Sequence, residues 1–466
     1  MKKIVFSAVL AGALAVAAGD RAPGMHYDRY FNHYTDSFVT KIFLKSKTKE
    51  TPTTTMEQVR TLIRNFHAFS GGMHQIIYLV GWQYAGHDSK FPSWDKVGDQ
   101  CKSSLSDDPL TSLRMVMREA REKYNCDLSL HLNMNDAHPD SPDWKLYNDK
   151  DLLCKDKNGK IRPLGTWYRI SHVKEWKSGY AKKRIDALLA MIPELKDAKT
   201  VHIDAFFAQS SDFDNISIED DKAAIKAITD YWHSLGIDVT NEFITSLDMI
   251  GYFPMVYHYN LDERQRLLYP AEVVSPGDNL WNGRLFCDYY HTYKPNYGPL
   301  MTTPAGGCCY DEAWGIGNFC DMSGGTAVNP KGFLDQIFRT AILFAWYNRH
   351  PPVRHAVTAT DYAVERKDGV VSNVRMQDRH LTVRQNGRLV VDGRDCLLDM
   401  PYGGGTLLAF SQKGCDREFD LPPEYAVATA LEGKTWPEGT PCRLAVSNGK
   451  VRVKLQACRS MTLHAK

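Results

Sequence analysis

The feature that most constrains the fold is a strand–helix–strand segment in which both strands end near an acidic residue. The run TVHIDAFF predicts a strand that ends at Asp204, and GIDVTNEF predicts the next strand, which ends at Glu242. Between them apolar residues recur at helical spacing over residues 225–235, and Gly236 then stops the helix. A parallel crossover of this kind brings both strand ends to the same edge of one sheet.

Alternating helical and strand patterns over residues 54–351 predict the fold class. The amphipathic run MEQVRTLIRNFHAF precedes the strand QIIYLVGW, and DDPLTSLRMVMREAREKY precedes the strand CDLSLHLN. Such alternation is typical of parallel strands wrapped by helices. We therefore expect an α/β fold, a (β/α)₈ TIM-type barrel over residues 20–364, whose less regular strands lie within 255–325.

The sequence pattern changes at about Glu365. Short alternating runs such as HLTVRQNGRLVV and RLAVSNGKVRVKL replace the helical patterns. The pairs Asn386-Gly387 and Asn448-Gly449 are hairpin signals. These features predict a C-terminal antiparallel β-sandwich domain over residues 365–466.

The N-terminus resembles a secretory signal peptide. Lys2 and Lys3 form a basic start, an apolar run covers residues 4–18, and an Ala-Val-Ala sequence offers a small-residue cleavage site. We expect residues 1–19 to be this signal and the protein to be secreted or periplasmic. The apolar run is short for a membrane span, so no membrane insertion is expected.

Charge and cysteine spacing argue against other classes of protein. The 57 Lys and Arg residues nearly balance the 55 Asp and Glu residues, so no basic surface for nucleic acid is indicated. The 11 cysteines contain no CxxC pair, and no HExxH-like spacing is present. We therefore predict no metal and no cofactor, and disulfide pairing stays open.

Polar and aromatic side chains cluster where the predicted strands end. His87 and Asp88 follow the strand QIIYLVGW, while His131 and Asn133 end the strand CDLSLHLN. The carboxyl ends of barrel strands form the catalytic face of such folds. Glu312, in the loop YDEAWG, is the main rival acid, although a rim loop without chemistry is the favoured interpretation there.

On these segments the chain resembles glycoside hydrolase family 101, the endo-α-N-acetylgalactosaminidases that act on mucin-type O-glycans. The resemblance rests on YLVGWQYAGHDSKFPSW, LHLNMND, the GTWY loop, HIDAFF and TNEF, in the order and approximate spacing of that family. GWQYAGHDS is the most specific of them. The resemblance covers roughly residues 55–350, and the shorter chain suits a compact relative, also similar to the exo-acting family 129.

The resemblance implies a role for each residue. Asp204 would be the nucleophile and Glu242 the general acid/base of a retaining enzyme that needs no metal. His87 and Asp88 would bind hydroxyl groups of a galacto-configured sugar, and His131 and Asn133 would complete the polar wall of the site. Trp167 would form an aromatic platform or lid, and Tyr168 of the same loop is also expected to bind substrate.

Chemical reasoning supports the same pair of acids. In an α-linked N-acetylgalactosamine the acetamido group is cis to the leaving oxygen, so the enzyme must supply its own nucleophile. Retention requires carboxyl groups about 5–5.5 Å apart. Neighbouring strands lie about 4.8 Å apart, which suits Asp204 and Glu242. Glu242 must start protonated in a drier setting, and Asp204 must stay ionised.

Several alternatives stay open. Acids at strand ends also cap helices, the His87–Asp88 pair could only shape a loop, and His131 could be an ordinary core histidine. The residues around Asp204 and Glu242 match the family loosely, so the chain could be a non-catalytic glycan-binding protein on the same fold. An exo-α-galactosidase is the alternative within the same chemistry, and endo and exo action are not distinguished.

Overall fold

The computed structural model describes residues 26–27, 29–241, 249, 251–254, 267, 319–322, 334, 337–378, 380–401 and 405–466. Glu242, Glu312 and the predicted signal peptide 1–19 lie outside these residues. The helices are α1 (Met56–Ser70), α2 (Pro109–Tyr124), α3 (Trp144–Asp149), α4 (His172–Lys177), α5 (Tyr180–Met191), α6 (Glu194–Ala198), α7 (Ile218–Ser234) and α8 (Leu343–Asn348). A π-helical turn, Phe338–Ile342, leads into α8.

One sheet is entirely parallel. Its strands are β1 (Phe38–Phe43), β2 (Gln75–Val80), β3 (Cys126–Asn133), β7 (Thr200–Asp204), β8 (Asp238–Asn241) and β9 (Phe319–Met322). They lie in the order β8-β7-β3-β2-β1-β9, with helices in the crossovers between β1 and β8. The predicted α/β alternation is confirmed. Over the described strands this sheet has two open edges, so closure into a (β/α)₈ barrel stays a prediction.

The two faces of the parallel sheet differ in character because side chains alternate along each strand. On one face Leu128, Leu130, Val201 and Ile203 belong to the main apolar core that the helices cover. The opposite face is polar: the Tyr78 and Thr200 hydroxyls lie 2.6 Å apart, and the Ser129 hydroxyl donates to the Thr200 carbonyl. The sheet therefore offers its polar face, and not its core face, for chemistry. The polar face includes Tyr78, Ser129, His131, Thr200, His202, Asp204 and Thr240.

Helix caps follow the local sequence. The Thr55 hydroxyl accepts from the Gln58 amide while the Gln58 side chain accepts from the Thr55 amide, which closes a capping box at the start of α1. Ser217 and Asp220 form the same box on α7. These boxes fix where the two helices begin, and hence the entry to the crossovers before β2 and β8.

A short three-stranded antiparallel sheet follows β3. Its strands are β4 (Asp136–Ala137), β5 (Pro163–Leu164) and β6 (Trp167–Arg169), in the order β4-β6-β5. Since β4 starts three residues after β3 ends, this small sheet stands at the carboxyl edge of the parallel sheet.

A large antiparallel sheet forms the C-terminal part. Its strands are β10 (Pro352–Val357), β11 (Asp361–Arg366), β12 (Val370–Arg375), β13 (His380–Gln385), β14 (Arg388–Asp392), β15 (Asp395–Met400), β16 (Thr406–Ser411), β17 (Cys415–Asp420), β18 (Ala430–Trp436), β19 (Pro441–Ser447), β20 (Lys450–Leu455) and β21 (Arg459–Ala465). The sheet begins with β10, at Pro352, whereas the sequence pattern changes only at about residue 365.

The predicted hairpins are present in this sheet. Asn386 and Gly387 have φ of 50° and 86°, and Asn448 and Gly449 have φ of 53° and 69°. Left-handed backbone at both central residues is what a two-residue hairpin turn needs. The sheet is sandwich-like, because Phe419 of β17 shares an apolar cluster with residues of β15, β16 and β20.

The two sheets share one core. Phe338 stacks on Phe410 with ring centroids 4.8 Å apart, and the Thr462 hydroxyl donates to the Phe69 carbonyl over 2.9 Å. Both contacts join the antiparallel sheet to helices around the parallel sheet. Among the described residues, no helix combines the length and apolarity that a membrane crossing requires. Within the part of the chain that the structure describes, free thiols belong to Cys101, Cys126, Cys154, Cys396, Cys415, Cys442 and Cys458.

Candidate active site

Strand register arranges the polar face in layers. His131 of β3 pairs with His202 of β7, and His202 pairs with Thr240 of β8. The ring centroids of the two histidines are 5.1 Å apart, and His202 Nδ1 lies 2.8 Å from the Thr240 hydroxyl. Two residues further along, Asn133 pairs with Asp204. Asp204 therefore lies in the layer above the histidines, at the carboxyl edge of the sheet.

Asp204 is held in a partly buried, polar setting. Its side chain is 16% exposed, and its Oδ1 lies 3.9 Å from Nε2 of His131, which is 3% exposed. Arg169 is close enough for its charge to interact with that of Asp204. His131 and Arg169 are thus side chains that can place positive charge beside this carboxylate. The sequence placed Asp204 and His131 correctly on strands, and the structure brings them together.

The loop after β2 brings His87 and Asp88 to the same edge. It packs against the chain that follows β1: a Cβ on Gly81 or Gly86 would lie only 2.3 Å or 2.6 Å from the Lys45 carbonyl oxygen. Only glycine, which has no Cβ, allows so close an approach. Both glycines also have positive φ, which side chains of other residues rarely permit. The specific run GWQYAGHDS thus has a structural reason for its glycines.

His87 faces the histidine of β3. The ring centroids of His87 and His131 are 5.4 Å apart and the rings are nearly perpendicular. Nε2 of His87 lies 3.4 Å from the Asp88 carboxylate, so the two neighbours form an ion pair when His87 is protonated. His87 therefore makes the contact with Asp88 that can shape the loop, and it also lies beside His131 at the candidate site.

Asn133 has a mainly local role. Its Oδ1 accepts hydrogen bonds from the amides of Asn135 and Asp136 over 2.8 Å and 2.9 Å, and its Nδ2 donates to Asp136. Asp136 in turn pairs with Arg169 over 2.9 Å. Burial raises the pKa of Asp136, while Arg169 opposes that rise. Asn133 therefore clamps the turn after β3, which holds Arg169 near Asp204.

Trp167 and Tyr168 face different surroundings because they are neighbours on one strand. Trp167 stacks on His138 at 5.9 Å, and the Lys47 ammonium lies 5.7 Å from its ring. Burial, with Lys47 nearby, lowers the pKa of His138 to about 4, so this imidazole is neutral near pH 7. Tyr168 packs against Trp144 in a separate apolar cluster. Trp167 is thus the aromatic ring nearer the polar loops.

Sequence reasoning missed Arg169 and Lys47. Arg169 follows the GTWY motif directly, but nothing in its spacing distinguishes it from a solvated surface arginine. Lys47 lies in a polar stretch after a strand, β1, that the sequence did not single out. Adjacency to GTWY was the only available signal for Arg169.

Three side chains converge on one point. Nitrogen atoms of His87 and His131 and a carboxylate oxygen of Asp204 all lie within 4.8 Å of one another. His131 and Asp204 come from the neighbouring strands β3 and β7, and His87 comes from the loop after β2. The convergence combines a potential nucleophile with two imidazoles at one edge of a polar sheet face.

A comparison with protein-family models identifies the family of this chain. The family model of glycoside hydrolase family 101, described as endo-alpha-N-acetylgalactosaminidase, matches residues 26–261, which is just over half of the 466 residues. The chain is a member of this family. The matched region contains both predicted acids and every residue to which the sequence resemblance gives a binding role.

Solved structures resemble this fold at low identity. Alpha-N-acetylgalactosaminidase NagBb from Bifidobacterium bifidum, as a quadruple mutant, has a TM-score of 0.50 and 10% identity over 75% of this chain and 57% of its own. Its GalNAc complex has a TM-score of 0.49 and 13% identity, over 76% of this chain and 58% of its own. An alpha-amylase from Geobacillus thermoleovorans, complexed with acarbose, has a TM-score of 0.43 and 12% identity, over 93% of this chain and 100% of its own.

The structural likeness concerns the fold alone. This chain spans less than two thirds of the length of NagBb, and the identity is too low to carry residue roles from one protein to the other. A search of curated proteins found no match. Family membership therefore rests on the sequence of residues 26–261.

Proposed function

We propose that the protein is a retaining glycoside hydrolase that cleaves α-linked N-acetylgalactosamine of mucin-type O-glycans. The observation that carries the proposal is the position of Asp204: it ends β7 at the carboxyl edge, on the polar face, beside His131. Family membership supplies the glycosidase chemistry. We also propose that the parallel sheet closes into a (β/α)₈ barrel and that the protein is exported.

The register supports a partnership of Asp204 with Glu242. The last described pair of β7 and β8 is Ile203 with Asn241. If this register continues for one residue, Asp204 and Glu242 become neighbours on the polar face. Adjacent strands lie about 4.8 Å apart, close to the spacing of about 5–5.5 Å that retaining enzymes use.

The proposed mechanism has two displacements. The Asp204 carboxylate attacks the anomeric carbon while Glu242 gives its proton to the glycosidic oxygen, so the aglycone leaves and a glycosyl ester forms on Asp204. Glu242, now ionised, removes a proton from water, which attacks the same carbon and restores free Asp204. Two inversions return the α-anomer. His131 and Arg169 would keep Asp204 ionised and oriented.

The remaining residues would recognise the sugar. His87 and Asp88 offer a donor and an acceptor on a loop beside Asp204, which suits neighbouring hydroxyl groups. Trp167 would form a flat apolar surface at the rim, held by His138. The substrate is then either the disaccharide Galβ1-3GalNAc on Ser or Thr, or a single terminal α-GalNAc.

Incubation with a core-1 O-glycopeptide tests the proposal. Mass spectrometry should detect a released disaccharide for endo action or, after removal of galactose, a monosaccharide for exo action. Proton NMR of the first product should show the α-anomer before mutarotation. Faster hydrolysis of p-nitrophenyl α-galactoside than of the α-GalNAc substrate would indicate an α-galactosidase. Binding without any product would favour the non-catalytic alternative.

Asn241 is expected to position Asp204. On the core side of β8, its Nδ2 donates to the Phe206 carbonyl over 2.8 Å and its Oδ1 accepts from the Phe206 amide over 3.3 Å. The chain between Asp204 and Phe206 turns through Ala205, with φ of 47°. The amide of Asn241 therefore clamps the turn directly behind the nucleophile.

Replacing Asn241 by Ala should lower kcat about 10- to 100-fold with little change in KM, because misplacement of a reacting group costs rate more than binding. Stability should fall by about 1–3 kcal/mol, since two buried backbone groups lose their partners. The control is Asn348→Ala, which removes the hydrogen bond from the Asn348 side-chain amide to the Thr35 carbonyl at the opposite edge of the sheet. A parallel loss of kcat in both variants would argue against positioning.

A further inference from the structure

We propose that a zinc-type divalent cation binds between His87, His131 and Asp204 and blocks the active site. The inference rests on the proposed function only in its inhibitory half, because binding itself needs no catalysis. The sequence predicts no metal, and its spacing gives no hint of this site, since His87 lies on the loop after β2 while His131 and Asp204 lie on β3 and β7.

The donor set selects the class of metal. Two imidazole nitrogens and one carboxylate oxygen suit Zn²⁺, Co²⁺, Ni²⁺ and Cu²⁺, whereas Ca²⁺ and Mg²⁺ prefer oxygen ligands throughout. Three protein ligands leave a further position for water. We therefore expect binding of the first group of ions with weak competition from Ca²⁺ or Mg²⁺.

The geometry is close to that of a bound ion. The three ligand atoms lie within 4.8 Å of one another, and the His131–Asp204 pair is 3.9 Å apart. Ligands about 2.0–2.1 Å from a tetrahedral zinc ion are about 3.3–3.4 Å apart. His131 and Asp204 are fixed by strand pairing, but His87 lies on a loop and its side chain is 23% exposed. A small shift of His87 closes the site.

The surroundings support a bound cation. The Asp88 carboxylate lies 3.4 Å from Nε2 of His87. A carboxylate that contacts one ring nitrogen of a metal-binding histidine orients the ring and strengthens the bond from the other nitrogen to the metal, so Nδ1 of His87 would be the ligand atom. A cation coordinated to Asp204 would neutralise the carboxylate that has to attack the sugar, and it would occupy the space of the anomeric carbon. Zinc and substrate should therefore exclude each other.

The test combines calorimetry with kinetics on the full chain. Zn²⁺ titrated into metal-free protein should bind one equivalent, and glycosidase activity should fall competitively with substrate and recover with EDTA. His131→Ala should weaken Zn²⁺ binding at least about 100-fold, because even substitution of a residue that only orients a ligand costs 10–100-fold. His87→Ala, on the loop, should weaken binding without disturbing the strands. His464→Ala, an exposed histidine of β21, serves as the control.

The outcomes separate the two proposals. Zinc binding that His87→Ala and His131→Ala leave unchanged overturns the inference, as does competition by Mg²⁺ at similar concentrations. Cobalt-loaded protein should lack a thiolate charge-transfer band, and its presence would assign the metal to cysteines instead. Loss of activity on treatment with EDTA would make the metal catalytic and overturn inhibition. A protein that binds zinc but hydrolyses nothing keeps the site and loses the proposed function.

Discussion

Replacing Asp204 by Asn should lower kcat for α-GalNAc substrates at least about 1000-fold. The amide keeps the shape of the side chain but cannot attack the anomeric carbon, and loss of a nucleophile is among the largest single-residue effects in enzymes. The effect should fall on kcat, because we propose that the sugar hydroxyls bind to His87 and Asp88 on a separate loop. Steady-state kinetics with p-nitrophenyl α-GalNAc measure it.

Azide distinguishes the two acids by stereochemistry. In Asp204→Ala azide can replace the missing nucleophile in a single displacement and give a β-glycosyl azide. In Glu242→Ala the glycosyl ester still forms with an activated leaving group, and azide then releases an α-glycosyl azide. The reverse pairing of products would exchange the roles of the two residues. Failure of both rescues, with both variants folded, would contradict the double displacement.

The control for these variants is Asp212→Asn. Asp212 is an exposed acid in the short 3₁₀ turn Asp212–Asp214, which follows β7 in the same crossover. It should retain full activity. Unchanged thermal unfolding of Asp204→Asn would place the loss in chemistry and not in folding.

The sequence predicted what depends on local pattern. Strand–helix alternation, the hairpins at Asn386-Gly387 and Asn448-Gly449, and the strand ends at Asn133 and Asp204 follow from periodicity and turn chemistry. Strand β1 escaped notice because FVTKIF mixes apolar and polar residues without a clean alternation: the buried Lys41 lies on the polar face.

Non-local contacts could not be read from the chain. The clamp of Asn133 on Asp136 and the approach of Arg169 to Asp204 depend on how the short sheet β4-β6-β5 folds over the carboxyl edge. The same holds for Tyr168, whose neighbour Trp167 turns to His138 while Tyr168 packs on Trp144. Alternation on a strand predicts opposite faces for the two rings, but not which face meets the site.

A buried ion pair supports the carboxyl edge from behind. Glu175 of α4 is fully buried, Arg184 of α5 lies 2.8 Å from its carboxylate, and the Tyr147 hydroxyl donates to the same oxygen. Arg184 also donates to the carbonyl oxygens of Pro92 and Asn133, and its guanidinium covers the Trp94 ring at 4.2 Å. This network joins the helices to the loop that carries His87 and to the end of β3.

Replacing Glu175 by Ala should lower the free energy of unfolding by about 3–5 kcal/mol, because Arg184 is left as an uncompensated buried charge. Urea unfolding followed by tryptophan fluorescence measures the loss. The double variant Glu175→Leu with Arg184→Met removes both charges and should recover most of the stability, since apolar side chains of similar volume can replace a buried pair. Lys102→Ala breaks the exposed pair with Asp99 and should cost no more than about 1 kcal/mol. If Glu175→Ala lowered the free energy of unfolding as little as Lys102→Ala does, water would have to reach Arg184, and the network would not support the site.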